Sequence, residues 1–226
     1  MEDNMFLTET HLHTKEGSSC GMLTAVEMVH AYHDAGYKTL FISNHFGAYF
    51  FCSWKKESWD EIIDRFMLGY NLAKEEGEKL GMNILLSAEI EFAQYKSVHY
   101  LIYGFDEQFL RDYPNLDQMT VAEFSALAKE KGIFFVQAHP YRDTNTIVTP
   151  ELVDAFEVCN PNPRHDNHDD MCEKTANEYG ILWTAGSDAH RYCDVAGTGI
   201  ISEYEIKTAE DYINLIKSGK AVIKRP

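Results

Sequence analysis

Two short motifs in this 226-residue sequence place potential metal ligands two residues apart. A single residue separates His11 from His13, and the same spacing separates Asp188 from His190. In an extended chain such side chains lie on one face, about 6.6–6.8 Å apart along the strand, so both can reach one ion. Each pair is a weak signal alone, but two pairs on different strands support each other and predict a metal site.

Further potential ligands stand at the ends of predicted β-strands. Six of the ten histidines do so, mostly at carboxyl ends, where the sites of α/β folds are found. Arg142 follows one of these ends and is predicted to hold a phosphate oxygen, the alternative being a solvent-exposed loop arginine. The predicted ligand set is His11, His13, His45, Glu89, His99, His139, Asp188 and His190.

Strand and helix signals alternate along the chain. Several apolar runs are continuous, as expected of strands that are covered on both faces. Seven strands that mostly alternate with helices predict a parallel α/β barrel, with an open doubly wound sheet as the alternative. The predicted strands are Phe6–Glu9, Thr39–Ser43, Ile84–Glu91, His99–Tyr103, Ile133–Gln137, Ala155–Val158 and Leu182–Ala185.

Helix boundaries are signalled by capping residues and glycines. Three of the predicted starts have a glutamate three residues later, which is the spacing of a capping box, and a fourth precedes a proline. Glycines favour the left-handed conformation that ends many helices. The predicted starts are Thr24, Ser58, Thr120, Thr149 and Thr208, and the predicted ends are Gly36, Gly81, Gly132, Gly180 and Gly219.

The composition is that of a globular protein with a strong negative charge. The hydrophobic fraction is 45%, and no apolar run approaches the roughly 18 residues of a membrane span. The beginning of the chain does not resemble a signal peptide, and the five cysteines are scattered, so we expect a cytoplasmic protein with reduced thiols and a single domain over residues 1–226. The net charge of −16 disfavours nucleic-acid binding, short oligonucleotides excepted, but allows a small phosphorylated substrate because bound cations invert the local field.

Taken in order, the strand-end motifs resemble those of the PHP (polymerase and histidinol phosphatase) superfamily. The resemblance covers nearly the whole chain, and the ordered set is more specific than any of its short members. It implies a distorted (β/α)7 barrel, related to the TIM barrel, that holds two or three divalent ions of zinc, iron or manganese. The motifs are His11–Thr14, Ser43–His45, Ala88–Glu89, Ala138–Pro140 and Gly186–His190.

The resemblance also implies how the ligands are shared among the ions. Glu89 would bridge two of them. The first ion would take His11, His13, Glu89 and Asp188, the second His45 and His190, and the third Glu89, His99 and His139.

Two positions depart from the family pattern. Asn44 stands where the family usually has an aspartate, and we expect it to hold the imidazole of His45 less firmly. A further acidic or histidine ligand of the second ion is missing, and either Glu16 or Cys20 would have to replace it. We expect Glu16, because phosphoester-cleaving sites favour hard oxygen ligands.

The activity that the resemblance implies is hydrolysis of a phosphoester, with a small phosphomonoester as the expected substrate. Asp188 would be essential, Arg142 would offset charge on the phosphoryl oxygens, and His190 or His99 would protonate the leaving oxygen. Two alternatives are an amidohydrolase-type metallohydrolase, which also begins with H-x-H, and a non-catalytic metal-binding regulatory module. The sequence predicts no oligomeric state.

Overall fold

A computed structural model describes residues 5–47, 50–51 and 57–226. Within these ranges, ten strands form one continuous sheet that curls into a distorted, nearly closed barrel. The strands are β1 (Phe6–Leu12), β2 (Thr39–Ile42), β3 (His45–Phe46), β4 (Asn83–Glu91), β5 (His99–Tyr103), β6 (Phe134–Gln137), β7 (Ala155–Cys159), β8 (Leu182–Ala185), β9 (Gly199–Ser202) and β10 (Val222–Lys224).

The barrel closes where β1 meets the chain segment after β8. The sheet order is β10-β9-β1-β2-β4-β5-β6-β7-β8, with β3 paired to β4. Thr10 Oγ1 donates a 2.7 Å hydrogen bond to the carbonyl of Ala185, and Leu12 forms a parallel bridge with Ala189. These contacts exclude the open sheet and bring the H-x-H pair beside Asp188.

The seven predicted strands are all present, but the sheet is not parallel throughout. β5 runs antiparallel to both β4 and β6, and β9 runs antiparallel to β1 and β10. Three strands, β3, β9 and β10, were not predicted, since they have only two to four residues and show no clear alternation. β1 runs three residues beyond its predicted end, so His11 lies inside the strand.

Six α-helices surround the sheet in the described ranges. The capping boxes predicted at Thr24, Ser58 and Thr120 are confirmed, and Thr208 forms another. None of the described helices is long and apolar enough to span a bilayer. The helices are α1 (Ala25–Asp34), α2 (Trp59–Leu80), α3 (Glu107–Asp112), α4 (Val121–Lys131), α5 (Asp169–Tyr179) and α6 (Ala209–Lys217), with short 3-10 helices at Leu116–Gln118 and Tyr192–Asp194.

The helix start predicted at Thr149 is wrong. Residues 150–152 form a turn. The backbone nitrogen and the hydroxyl of Thr149 both donate to Gln137 Oε1, at 2.9 and 3.1 Å, so the threonine is bound to β6 and does not cap a helix.

Aromatic side chains fill the barrel beneath the H-x-H motif. Phe41, Tyr103 and Tyr212 are fully buried, and Tyr103 and Tyr212 each lie with ring centroids 5.0 Å from Phe41 and from each other. The Tyr103 hydroxyl also donates a 3.0 Å hydrogen bond to the Thr10 carbonyl. Burial of such a ring contributes about 1.5–3 kcal/mol to the stability of the fold. The packed cluster therefore supports the polar residues above it and limits their movement.

Candidate metal centre

The strand ends bring the predicted ligands to one edge of the barrel. His11 and His13 lie at the end of β1, Glu89 lies near the end of β4, and His139 follows β6. His99 opens its strand instead of closing it, yet it reaches the same edge because β5 is antiparallel to its neighbours. His99 is the one predicted ligand at the amino end of its strand, and the antiparallel direction of β5 explains why it still lies at the site.

The potential ligand atoms form three groups, and within each group they all lie within 4.8 Å of one another. Glu89 and His13 each belong to two groups. These groups match the ligand sets that the resemblance implies for the three ions, except that His13 also belongs to the second group. The groups are His11, His13, Glu89 and Asp188; His13, His45 and His190; and Glu89, His99 and His139.

At the centre, nitrogen lone pairs and carboxylate oxygens face one another. His11 Nε2 and His13 Nε2 are 3.1 Å apart, and His13 Nε2 lies 3.0 Å from Asp188 Oδ1. Glu89 reaches both sides, with Oε2 2.8 Å from His45 Nδ1 and Oε1 3.4 Å from His11 Nε2. A cation at such a point replaces repulsion between lone pairs with coordination.

Unsatisfied atoms test whether the site suits a metal. Four buried atoms here lie 2.8–3.4 Å from a facing imidazole nitrogen or carboxylate oxygen but form no hydrogen bond among the described residues: His45 Nδ1, Glu89 Oε2, His99 Nδ1 and Asp188 Oδ1. Buried polar atoms are almost always partnered, so four together require an explanation. Imidazole nitrogen and carboxylate oxygen are the donors that zinc, iron and manganese take in proteins. The residues present therefore fit divalent cations.

Burial and charge oppose each other at the carboxylates. Burial alone would raise the pKa of Glu89 and of Asp188, but facing cations, His99 first for Glu89 and Arg142 first for Asp188, hold both pKa values well below their ordinary range. Burial, together with the charge of Arg142, lowers the pKa of His139 to about 4. Although burial disfavours the charged form, the facing carboxylates raise the pKa of His11 and raise that of His99 to about 9. Metal binds ionised carboxylates and neutral imidazoles, so these two histidines would release a proton when an ion binds.

Two ligands lie on left-handed backbone. His139 follows β6 with a φ of 30°, and Asp188 follows β8 with a φ of 48°. Residues with a Cβ rarely adopt this region, and when they do it is often at a functional site. The surrounding hydrogen bonds hold both turns in place.

Two buried glutamates that were not predicted as site residues orient the ligands. Glu157 Oε1 lies 2.8 Å from His11 Nδ1, and its Oε2 accepts a 3.1 Å hydrogen bond from the backbone nitrogen of His139. Glu9 Oε1 accepts from the backbone nitrogens of His11 and Ser187, both at 2.9 Å. A carboxylate in an otherwise buried strand was the available signal, because its burial requires partners.

Asn44 holds the loop after β1, which corrects the expectation that it holds the imidazole of His45. Its Oδ1 accepts hydrogen bonds from the backbone nitrogen of Thr14 at 2.8 Å and from Ser18 Oγ at 3.2 Å. Ser18 Oγ in turn accepts from the backbone nitrogen of His45 at 3.1 Å and lies 3.3 Å from His13 Nδ1. The asparagine therefore acts on both histidines through the serine.

Glu16, the expected ligand of the second ion, lies outside the three groups. Its Oε2 accepts a 2.9 Å hydrogen bond from the backbone nitrogen of Ala25, the first residue of α1. The free N–H groups of a helix start favour a carboxylate there, and this contact directs Glu16 away from the site. Cys20, the other candidate, is likewise outside the three groups, but its Sγ lies 3.1 Å from His190 Nε2, a member of the second group.

The ligand groups open into a cleft of about 1010 Å³. Although the chain has a net charge of −16, four basic side chains line this cleft: Lys96, Arg142, Arg164 and Arg191. Arg142 Nη2 donates a 2.6 Å hydrogen bond to Asp188 Oδ2, so the arginine predicted to hold phosphate lies directly beside a ligand group. Four acidic side chains, Glu91, Asp117, Asp143 and Asp188, line the same cleft, so bound cations would be needed to make it positive.

Comparison with known families gives a match over part of the chain. Residues 167–221 match the family model described as PHP-associated. A search of curated proteins found no matching sequence.

Solved structures share the fold at low sequence identity. A two-domain protein from Bacteroides vulgatus, described as containing a predicted PHP-like metal-dependent phosphoesterase, has a TM-score of 0.70 at 15% identity; the match covers 100% of this chain and 66% of that chain. PsfC from Pseudomonas syringae has a TM-score of 0.67 at 18% identity, with 99% and 92% covered. An amidohydrolase from Chromobacterium violaceum, with bound sulfate and no metal, has a TM-score of 0.57 at 13% identity, with 95% and 97% covered.

The fold is a distorted barrel with a histidine-rich cluster of potential ligands at one edge, and it resembles that of a protein described as PHP-like. The match of residues 167–221 to a PHP-associated family model agrees with the resemblance of the motifs.

Proposed function

We propose that the protein hydrolyses a small phosphomonoester at a centre of two or three divalent ions. The observation that carries the proposal is the position of Arg142, which lies between a ligand group and the cleft. Its Nη2 is 2.6 Å from Asp188 Oδ2, and the side chain lines the cleft. A guanidinium beside metal ligands is suited to the equatorial oxygens of a phosphoryl group.

Asp188 has a separate task for each carboxylate oxygen. Oδ1 lies 3.0 Å from His13 Nε2 and has no hydrogen-bond partner among the described residues, which leaves it for an ion. Oδ2 accepts hydrogen bonds from Arg142 and from Asn162 Nδ2, the latter at 3.3 Å. Divalent ions held by these groups would supply Lewis acidity and a water of lowered pKa.

The rest of Arg142 is fixed by amide side chains. Nε donates to Asn167 Oδ1 at 2.7 Å, and Nη2 also reaches Asn160 Oδ1 at 3.3 Å. The guanidinium is therefore oriented before substrate binds, which reduces the entropy lost on binding. Cations bound at the ligand groups would offset the acidic side chains of the cleft and attract an anionic substrate.

We assign protonation of the leaving oxygen to His99. It lines the cleft, and its Nε2 lies 3.2 Å from Glu91 Oε2, which orients the ring. In a trinuclear centre the same ring is a ligand, and the proton then comes from solvent. His190, the alternative, is held by the carbonyl of Asp188 and belongs to the second ligand group.

The test is a panel of phosphate esters, from p-nitrophenyl phosphate to nucleotide monophosphates, with metal analysis of the purified protein. We expect turnover that depends on zinc, iron or manganese. The variant Asp188→Ala should lose bound metal, and kcat/KM should fall on the order of 10³-fold, equivalent to about 4 kcal/mol. Asp170→Ala, which changes an exposed aspartate of α5, is the matched control and should keep both.

Two outcomes would refute this function. A folded Asp188→Ala protein with full activity would exclude the proposed centre. A metal-loaded protein that cleaves none of the esters would favour the regulatory module, unless an amide or lactone panel is cleaved. Cleavage of that second panel would favour the amidohydrolase alternative, whose fold is also similar.

A further inference from the structure

We propose that the Cys20 thiolate is the fourth ligand of the ion held by His13, His45 and His190. This inference rests on the metal centre of the proposed function and specifies one of its positions. It replaces the expected oxygen ligand by sulfur, and so gives the centre two chemically different metal positions.

The side chain of His190 is oriented towards the cysteine. Its Nδ1 lies 2.8 Å from the carbonyl of Asp188, a group that can only accept, so Nδ1 carries the proton. Nε2 is then the nitrogen with the free lone pair, and it lies 3.1 Å from Cys20 Sγ. In a tetrahedral zinc site, sulfur and nitrogen ligands are about 3.5 Å apart, as their bond lengths require. The observed pair is close to that spacing.

The three imidazoles need a fourth partner. His13 packs against both of the others, with ring centroids 4.2 Å from His190 and 4.4 Å from His45. His45 is only 6% exposed, and its Nδ1 faces Glu89 Oε2 at 2.8 Å without forming a hydrogen bond. The independent sign of a ligand is the group itself, since nitrogens of three buried rings lie within 4.8 Å of one another. Structural and catalytic zinc sites complete three such nitrogens with a thiolate, a carboxylate or water.

The loop after β1 holds the cysteine in place. The backbone nitrogen of Gly21 donates to the carbonyl of Ser18 at 3.0 Å, and that of Met22 donates to the carbonyl of His190 at 2.8 Å. A Cβ on Gly21 would lie 2.7 Å from the backbone of Thr14, so only glycine allows the chain to return this closely. Cys20 is thus fixed between two anchored neighbours at the wall of the cleft.

The types of ligand atom differ between this metal position and the neighbouring one. Three nitrogens and a thiolate favour zinc or ferrous iron over manganese or magnesium. One imidazole nitrogen binds one ion, so with His13 at this position the neighbouring one keeps His11, Glu89 and Asp188, whose two carboxylates accept harder ions. We therefore expect the two positions to differ in metal preference.

Cobalt(II) reports the ligand directly, because a thiolate bound to cobalt gives a charge-transfer band in the near ultraviolet. The metal-free protein is titrated with cobalt to saturation while binding stoichiometry and absorbance are followed. We expect the band in the native protein and in Cys193→Ser, which changes an exposed cysteine, and its loss in Cys20→Ser. Bound zinc should also protect Cys20, but not Cys193, from alkylation measured by mass spectrometry.

The possible failures can be told apart. Cobalt that saturates two or more positions without the band, or a band that persists in Cys20→Ser, would overturn the thiolate ligand and leave the metal centre standing. A protein that binds no cobalt would overturn both this inference and the centre on which it rests.

Discussion

The hydroxyl of Ser187 donates a 2.6 Å hydrogen bond to the carboxylate of Glu9, a residue 178 positions away in the chain. The backbone nitrogen of Ser187 donates to the other oxygen, Oε1, at 2.9 Å, and the Tyr32 hydroxyl donates to Oε2, the oxygen that also accepts from the Ser187 hydroxyl. Glu9 stands two residues before His11, and Ser187 directly precedes Asp188. One buried carboxylate therefore aligns the two chain segments that carry the H-x-H and D-x-H pairs.

Replacement of Glu9 by glutamine should loosen this alignment. The new amide NH2 would face donors instead of accepting from them, at a cost of about 1–3 kcal/mol. Because the ligands lose their orientation, metal affinity should fall roughly 10–100-fold. Urea unfolding and competition with a chelator measure the two effects. Glu203→Gln, at an exposed glutamate, is the control; equal behaviour of the two variants would contradict the role of Glu9.

Gly186, which follows β8, packs against His11 of β1. A Cβ there would lie 2.4 Å from His11 Cβ and 2.9 Å from Glu157 Oε1. Gly186→Ala should force β1 away, destabilise the fold by about 1–3 kcal/mol, and weaken metal binding. Gly180→Ala has open space but a φ of 66°, so it should cost about 1–2 kcal/mol and leave metal binding intact. Calorimetry of unfolding and metal titration of both variants test the difference.

The substitution Arg142→Lys keeps the positive charge but removes the planar guanidinium group. The lysine cannot contact Asp188, Asn160 and Asn167 together, so we expect kcat/KM for a phosphate ester to fall roughly 10–100-fold, about 1.4–2.7 kcal/mol. Metal content should change little, because Arg142 is not a ligand. Arg111→Lys, in an ion-pair network with Asp60 and other acidic side chains outside the cleft, is the matched control. Unchanged kinetics in Arg142→Lys would contradict the proposed phosphate contact.

Low pH should destabilise α4, because it protonates the glutamate of the capping box at the start of this helix. The backbone nitrogen and hydroxyl of Thr120 donate to Glu123 Oε2, each at 2.8 Å, and lower the pKa of Glu123 below 4.5. A lowered pKa means that the contribution is complete above the unfolded pKa and is lost as the pH falls through the folded pKa. Glu123→Ala should therefore have a lower Tm than the native protein at pH 7, and the gap should close under acid conditions.

The control for this effect is Glu130→Ala, an exposed position of the same helix. Its Tm difference from the native protein should not follow the same pH course. A gap for Glu123→Ala that stays constant from pH 7 to pH 3 would show that the charge of this glutamate contributes nothing.

The clustering of the potential ligands could be predicted from the sequence because these residues stand at strand ends. The spacing of His11 and His13, and of Asp188 and His190, follows from the two-residue period of extended chain, and the structure brings both pairs together. Helix starts were readable for a similar reason, since the capping box is local. The exception at Thr149 arose from a tertiary hydrogen bond to Gln137, which no local pattern contains.

The features that the sequence did not predict depend on contacts between residues that are far apart in the chain. The direction of β5 is set by pairing with β4 and β6, and this direction places His99 at the site. Glu16 and Cys20 could not be ranked by ligand preference alone, because the free N–H groups at the start of α1 bind the glutamate. Glu9 and Glu157 have partners across the barrel, so their sequence neighbours gave no indication of their role.

At the left-handed turns of His139 and Asp188, backbone stability and the proposed metal site favour different residues. A side chain with a Cβ is disfavoured there, and glycine would relieve the backbone while removing a proposed ligand. Selection for stability and selection for metal chemistry therefore act in opposite directions at these two codons. In a lineage that no longer uses the ions, glycine or asparagine should spread first at these two positions. A histidine and an aspartate retained there would mark a descendant whose centre is still in use.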